Sequence, residues 1–231
     1  MLLNHQTERM SHKSHKIPSI MRKSNSHKPT SNIPTSTAAG QVRIIAGQWR
    51  RQQLPVLVHD GLRPTGDRVR ETVFNWLNHF WGGQFAGRTV LDVFAGTGAF
   101  GLECISRGAR EVILIDSHKP AVENIRKTLQ HWGKHDGSIA QIKLIQDDAL
   151  AVLTQLAGQK QTFDVIFLDP PFGHGWLERV VPLIRPLCGD DTLLYIETEK
   201  SADLSVLTQA GWHCVREGKT QQTQYGLWHL V

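Results

Sequence analysis

Three cysteines in 231 residues, Cys104, Cys188 and Cys214, leave little for disulfide or thiolate chemistry. The odd, scattered set has no paired ligand spacing, which argues against a disulfide framework and fits the reduced thiols of a cytoplasmic protein. The 12 histidines are equally scattered, with no zinc pattern, so no metal is expected. No run reaches the roughly 18 uninterrupted apolar residues of a membrane span, so no membrane partner is expected. Acids are scarce in the first 40 residues, where Glu8 stands alone against six Lys or Arg. Large apolar residues are few there too, and such a segment cannot bury enough surface to order itself. It is basic, Ser-rich and acid-poor like a transit peptide. A flexible basic arm, or a translation start placed too far upstream (Met10 and Met21 lie within it), fits better.

The net charge of +5 is unevenly placed. Residues 1–40 carry the whole excess, and the remainder has 20 basic and 20 acidic residues. Within that remainder, Gln41 to Arg70 holds Arg43, Arg50, Arg51, Arg63, Arg68 and Arg70 against Asp60 and Asp67, a local +4. Glu71 to Val231 is correspondingly −4. A basic appendage beside an acidic domain suits a protein that grips a phosphate backbone at one end. Arginine also suits bidentate phosphate contact and base stacking. The alternative is a solvated face with internal ion pairs to Asp67 and Glu71.

What the chain does have is a set of acids after apolar runs. Phe163-Asp164-Val165-Ile166-Phe167-Leu168 reads as a buried strand and leads into Asp169-Pro170-Pro171-Phe172. An exocyclic amine on a nucleobase is a poor nucleophile, because its lone pair is delocalised into the ring. Asp169 and the Pro170 carbonyl can accept from its two N–H groups and draw the lone pair out of conjugation. Prolines fix φ and remove donors, so the turn is stiff and its carbonyls stay available. Phe172 can stack on the base. Taken alone, the run reads equally well as a strand-ending turn.

A second motif shifts that balance. Thr89-Val90-Leu91 is a strand candidate, followed by Asp92-Val93-Phe94-Ala95-Gly96-Thr97-Gly98-Ala99-Phe100-Gly101 and a helical stretch to about Arg107. Gly96, Gly98 and Gly101 fit G-x-G-x-x-G, and Asp116 follows a further strand, Val112 to Ile115, 20 residues beyond Gly96. That spacing also describes a dinucleotide site. Asp92 separates the two, since a carboxylate at the loop mouth would repel a pyrophosphate. It suits S-adenosylmethionine, whose amino group and sulfonium are both positive. The donor set is then Asp92, Phe94, Ala95, Gly96, Thr97 and Gly98 in the loop, with Asp116 and Ser117 at the ribose. After a third strand, Gln141 to Ile145, Asp148 and Ala149 are placed over the adenine, although Asp147 and Asp148 equally suit helix capping. Glu197 and Glu199 are candidates for the edge of the base pocket, with a solvated strand end as the alternative.

With these residues in place, the chain resembles the bacterial 16S rRNA guanine-N2 methyltransferase family often called RsmD. The matching runs are Val42 to Arg50, Leu62 to Leu77, Asp92 to Gly101, Asp169 to Phe172 and Leu194 to Glu197. The glycine loop and the Asp-Pro-Pro-Phe turn are shared by many amino-methyltransferases. Arg63-Pro64-Thr65-Gly66-Asp67-Arg68-Val69-Arg70-Glu71 and Arg43-Ile44-Ile45-Ala46-Gly47-Gln48-Trp49-Arg50 are more specific. The resemblance implies transfer of one methyl group to the N2 amine of one guanine of 16S rRNA, in an assembled or nearly assembled small subunit. The tail of about 40 residues before the matching region is longer than the family's usual start.

The organisation expected is residues 1–40 as a basic tail, 41–80 as an RNA-binding hairpin and helix, and 81–231 as the catalytic domain. Gln41 to Val58 reads as a hairpin with β-type residues around Gln48-Trp49-Arg50. Thr65 is a plausible N-cap for a helix whose stripe is Val69, Val73, Trp76, Leu77 and Phe80; Arg68, Arg70 and Glu71 fall off the stripe and stay free to bind. Lys119 to Trp132 and Trp176 to Leu187 read as helices. Thr192 to Ile196 reads as the fifth strand, with a closing antiparallel pair joined across Gly218. The alternation predicts an α/β, Rossmann-like S-adenosylmethionine-dependent methyltransferase with a mostly parallel seven-stranded sheet, helices on both faces and ligands at the strands' carboxyl ends. A monomer is the default. Two rivals stay open: a DNA adenine-N6 methyltransferase, for which no segment is large enough to be a target-recognition domain, and a non-catalytic RNA-binding assembly factor.

Overall fold

Period-2 burial along the strands sorts the molecule into layers. The computed structural model describes residues 41–56, 65–132 and 141–230. The basic tail, Arg63 and Pro64 lie outside them. Seven strands form one sheet: β3 (Thr89–Asp92), β4 (Glu111–Asp116), β5 (Ile142–Gln146), β6 (Phe163–Leu168), β7 (Cys188–Glu199), β8 (Trp212–Lys219) and β9 (Thr223–Leu230). Their order is β5-β4-β3-β6-β7-β9-β8. The first five are mutually parallel and β9 pairs antiparallel with both β7 and β8.

Alternate residues of these strands enter two cores. Val90, Val112, Leu114, Val165, Phe167 and Tyr195 face α1 (Asp67–Phe80), α2 (Ala99–Ser106) and α3 (Lys119–Trp132). Leu91, Ile113, Ile115, Ile166, Leu168 and Ile196 face α4 (Ala149–Gly158), α5 (Trp176–Ile184) and α6 (Ser205–Gln209). Near-continuous apolar runs are what a parallel sheet covered on both faces requires. The expected fold class is therefore the one found. Among the described residues, no helix is long and apolar enough to cross a membrane.

A short hairpin, β1 (Gln41–Arg43) with β2 (Gln53–Pro55), precedes α1. Residues 48–50 fall in its turn, not in a strand as expected. An isolated pair this short has little stability of its own. It is held instead against α2. Gly47, at φ +82°, lies so close to the end of α2 that a Cβ there would sit 1.7 Å from the Ser106 carbonyl oxygen. The Ile45 and Ala46 N–H groups donate to the buried Glu103 carboxylate at 2.6 and 2.9 Å.

Three local expectations are corrected. The N-cap of α1 is Gly66, with no side-chain cap, because the Thr65 hydroxyl is engaged elsewhere. The chain reverses between β8 and β9 at Thr220 to Gln222, not at Gly218. Gly218 sits within β8, where a Cβ would come within 2.4 Å of the Tyr225 ring. Finally, Phe80 ends the α1 stripe exposed rather than in the core.

Candidate active site

The carboxyl ends of β3, β4 and β6 bring three acids to one edge of the sheet, as Asp92 closes β3, Asp116 closes β4 and Asp169 follows β6. The glycine turn is pinned between neighbouring strands. Val93 N–H donates to the Phe167 carbonyl at 3.1 Å and Ala95 N–H to the Ile115 carbonyl at 2.9 Å. Gly96 and Gly98 have φ of +53° and +77°, the left-handed region where a side chain is strained. Gly101 allows α2 to approach the sheet, since a Cβ there would meet Leu114 at 2.4 Å.

Asp92 and Asp116 organise this turn from below. Asp92 is buried and accepts from the Gly101 N–H at 3.0 Å. Burial pushes its carboxyl up to about 7; the Gly101 N–H opposes that rise and the nearby Asp116 charge adds to it. Asp116 accepts from Gly96 N–H and His118 N–H, both at 2.7 Å. A carboxylate has about four lone-pair positions, so Asp116 retains room for a ribose hydroxyl. Beside it come Ser117 and, after β5, Asp148, which caps α4 by accepting from Ala151 N–H at 3.0 Å. Asp148 is exposed and Ala149 buried. Phe94 is half-buried, with its ring 5.1 Å from that of Trp176.

These features fit a cationic, phosphate-free nucleoside. Two glycines open the backbone, one buried carboxylate lies under the turn and a second lies at the next strand end. Thr97 is nearly buried in the turn and adds no charge.

On the substrate side, Pro170 is buried while Pro171 and Phe172 are exposed. Phe172 is one of only two large apolar side chains counted as exposed among the described residues, at 38%. The turn is tied to β7 by the Gly173 N–H, which donates to Glu199 at 3.2 Å. Glu199 therefore anchors the turn. Glu197 is different: it is 6% exposed and its Oε2 accepts from the Tyr195 hydroxyl at 2.9 Å. Thr65 places its hydroxyl 2.9 Å from both Asp169 Oδ2 and Glu197 Oε2. Burial first, then the Glu197 and Asp169 charges, push the Tyr195 phenol well above its ordinary range.

Sequence reasoning missed Thr65 and Tyr195 as site residues. Thr65 contacts Asp169 across 104 residues, and no local pattern reports such a contact. The alternation of β7 could have put Tyr195 on the face of Glu197.

The arginine group divides. Arg50, Arg51 and Arg68 are exposed. Arg43 is exposed as well but ion-paired to Asp67 at 3.1 Å. Arg70 is completely buried, donating to the Arg43 carbonyl at 2.8 Å and to Asp67 at 2.6 Å. Its expected role as an RNA contact is corrected: the side chain crosses under the hairpin and offers no donor to solvent. Arg63 lies outside the described residues.

The family model described as Conserved hypothetical protein 95 matches residues 42–229. A ribosomal RNA small subunit methyltransferase D from Haemophilus influenzae is 40% identical over 85% of this chain and 97% of its own. The protein of that name from Escherichia coli K12 is 36% identical over 84% of this chain and 93% of its own. Among solved structures, a putative methyltransferase from Escherichia coli superposes with a TM-score of 0.67 at 36% identity, covering 83% of this chain and 98% of that one.

Proposed function

The chain belongs to the family of ribosomal RNA small subunit methyltransferase D, and on that premise we propose that it methylates the exocyclic N2 amine of one guanine in 16S rRNA. The methyl donor is S-adenosylmethionine, whose sulfonium supplies an already activated methyl group. Asp92, Phe94, Ala95, Gly96, Thr97 and Gly98 form its cradle. Asp116 and Ser117 serve the ribose, and Asp148 and Ala149 the adenine. No metal is needed for this chemistry.

The observation that carries the reading is the stiff Asp169-Pro170-Pro171-Phe172 turn beside the glycine turn, on the adjacent strands β6 and β3. Asp169 and the Pro170 carbonyl orient the amine, and Phe172 stacks on a guanine turned out of its surroundings. The amine attacks as a neutral group, and its proton leaves after the bond forms, so no strong general base is required. Residues 41–80 act as the RNA-contacting extension and 81–231 as the catalytic part. The substrate is the assembled small subunit, met in the cytoplasm, and the chain acts as a monomer by default.

The test is methyl transfer from labelled S-adenosylmethionine to small subunits lacking the modification, with naked 16S rRNA and duplex DNA in parallel. N2-methylguanosine from the subunits is the expected product. N6-methyladenine from DNA would overturn the substrate, and absence of transfer with donor binding intact would overturn the reaction.

A further inference from the structure

We propose that Glu197 is a specificity-determining residue, accepting a hydrogen bond from the N1–H of the target guanine while Asp169 and the Pro170 carbonyl hold the N2 amine. This deepens the function proposed above and rests on it. Three observations carry it.

Glu197 is a buried carboxylate, 6% exposed, at the carboxyl end of the strand next to β6. Among the described residues no cation forms an ion pair with it. Its known partners are two hydroxyls, Tyr195 and Thr65. A buried anion without a cation needs donors, and two neutral hydroxyls are a thin supply.

The Thr65 hydroxyl lies 2.9 Å from Glu197 and 2.9 Å from Asp169, yet it has one proton. It can satisfy one carboxylate at a time, so Glu197 shares that donor with Asp169. Both hydroxyls meet the same oxygen of Glu197, Oε2. Tyr195 commits its proton to Oε2, so Oε1 has no donor among the described residues and is the acceptor offered to N1–H.

The third observation is chemical. Three bases carry an exocyclic amine. In adenine and cytosine, the ring nitrogen beside that amine is a bare lone pair. In guanine it is N1–H, a donor next to the two N2–H donors. With the two amine N–H groups taken by Asp169 and the Pro170 carbonyl, only guanine has a further adjacent donor, N1–H, for Glu197. The amine of adenine would satisfy Asp169, but its N1 lone pair would face Glu197 in a desolvated corner. A site built to receive a donor discriminates by about 10⁴ against an analogue that lacks it.

The experiment uses 2-aminopurine, which keeps the N2 amine but has a lone pair at N1 and no O6, so the Glu197 variant is needed to assign the N1 part. Once the methylated guanine is located, subunits are reconstituted with either guanine or 2-aminopurine at that position. The wild-type chain is expected to favour guanine by at least about 10²-fold in kcat/KM. Glu197→Gln, whose amide can donate to the N1 lone pair, is expected to narrow that preference at least about tenfold while leaving affinity for S-adenosylhomocysteine unchanged. Equal use of both bases by the wild type would overturn the role of Glu197, as would a Glu197→Gln variant slowed equally on both. If the variant fails to fold, 6-thioguanine, which keeps N1–H and the N2 amine but replaces O6 by sulfur, decides for the wild type: use near that of guanine supports the role, and rejection as strong as that of 2-aminopurine overturns it. Failure to form N2-methylguanosine on the guanine subunits is a different result, removing the proposed reaction and this role with it.

Discussion

At Asp92 the charge a cationic donor needs and the charge the fold tolerates pull in opposite directions. Burial lifts this carboxyl to about 7, so near neutrality about half of the free chains carry it protonated. A positive donor favours the ionised form and must expel that proton. Donor affinity should therefore fall as pH drops below about 7, approaching tenfold per pH unit, and hold steady above it. Calorimetry at pH 8 and pH 6, in buffers of different ionisation enthalpy, reads both the affinity and the proton released. Asp92→Asn should bind weakly with little pH dependence; a steep dependence surviving that change would assign it to another group. Asp169, proposed to hold the target amine, should behave differently. Asp169→Ala should lower kcat by at least about 10³-fold while donor affinity stays within about threefold. Normal turnover by a folded variant would remove Asp169 from the chemistry. Both acids were legible because a strand and a turn are local in sequence. Thr65 was not, since its contacts with Asp169 and Glu197 exist only once its segment lies against β6 and β7; Tyr195, two residues from Glu197 on one strand, could have been found.

The hairpin and α2 meet through backbone, the Ser106 hydroxyl and one buried acid, and this contact is the least legible part of the fold. Glu103 reads in sequence as an ordinary helix residue. In the structure it receives two N–H groups from the hairpin and the Arg107 guanidinium at 2.7 Å. Gly47 reads as a turn glycine, which it is, but its larger constraint is the Ser106 carbonyl pressed against it. Gly47→Ala should cost about 2–4 kcal/mol, combining an unfavourable positive φ with a clash that only movement of α2 or the hairpin can relieve. Thermal unfolding should show a melting temperature roughly 5–15 °C lower. An unchanged melting temperature would mean that the hairpin does not dock there in solution. The helices fared better: α3 runs from Lys119 to Trp132, the limits its periodicity indicates, and α5 yields to a 3-10 turn at Arg185, close to Pro186. The periodic stripe of α1 correctly marked Val69, Val73 and Leu77, but periodicity cannot tell that Arg70, off the stripe, is covered by the hairpin.

Across the whole chain, residues 41–70 carry +4 and residues 71–231 carry −4, so the molecule has an electrical direction that a phosphate backbone would follow. Burial decides which arginines express it. Arg70 is internal and Arg43, though exposed, is shared with Asp67, leaving Arg50, Arg51 and Arg68 as the exposed cations outside the ion pairs in the described part of this segment. Each phosphate contact contributes just under one unit to the slope of log affinity against log salt. Replacing these three by Gln should therefore weaken subunit binding and flatten that slope by about two to three units, with kcat at saturating subunit little changed. Arg70→Met provides the contrast. It removes a buried charge of which two nitrogens lack hydrogen-bond partners, so it should alter thermal stability and leave the salt slope as it was. If the triple variant kept the wild-type slope, the phosphate grip would have to lie elsewhere. If Arg70→Met flattened the slope as much, the hairpin would have to open on binding and expose Arg70, since no closed form of this core lets that side chain reach a phosphate.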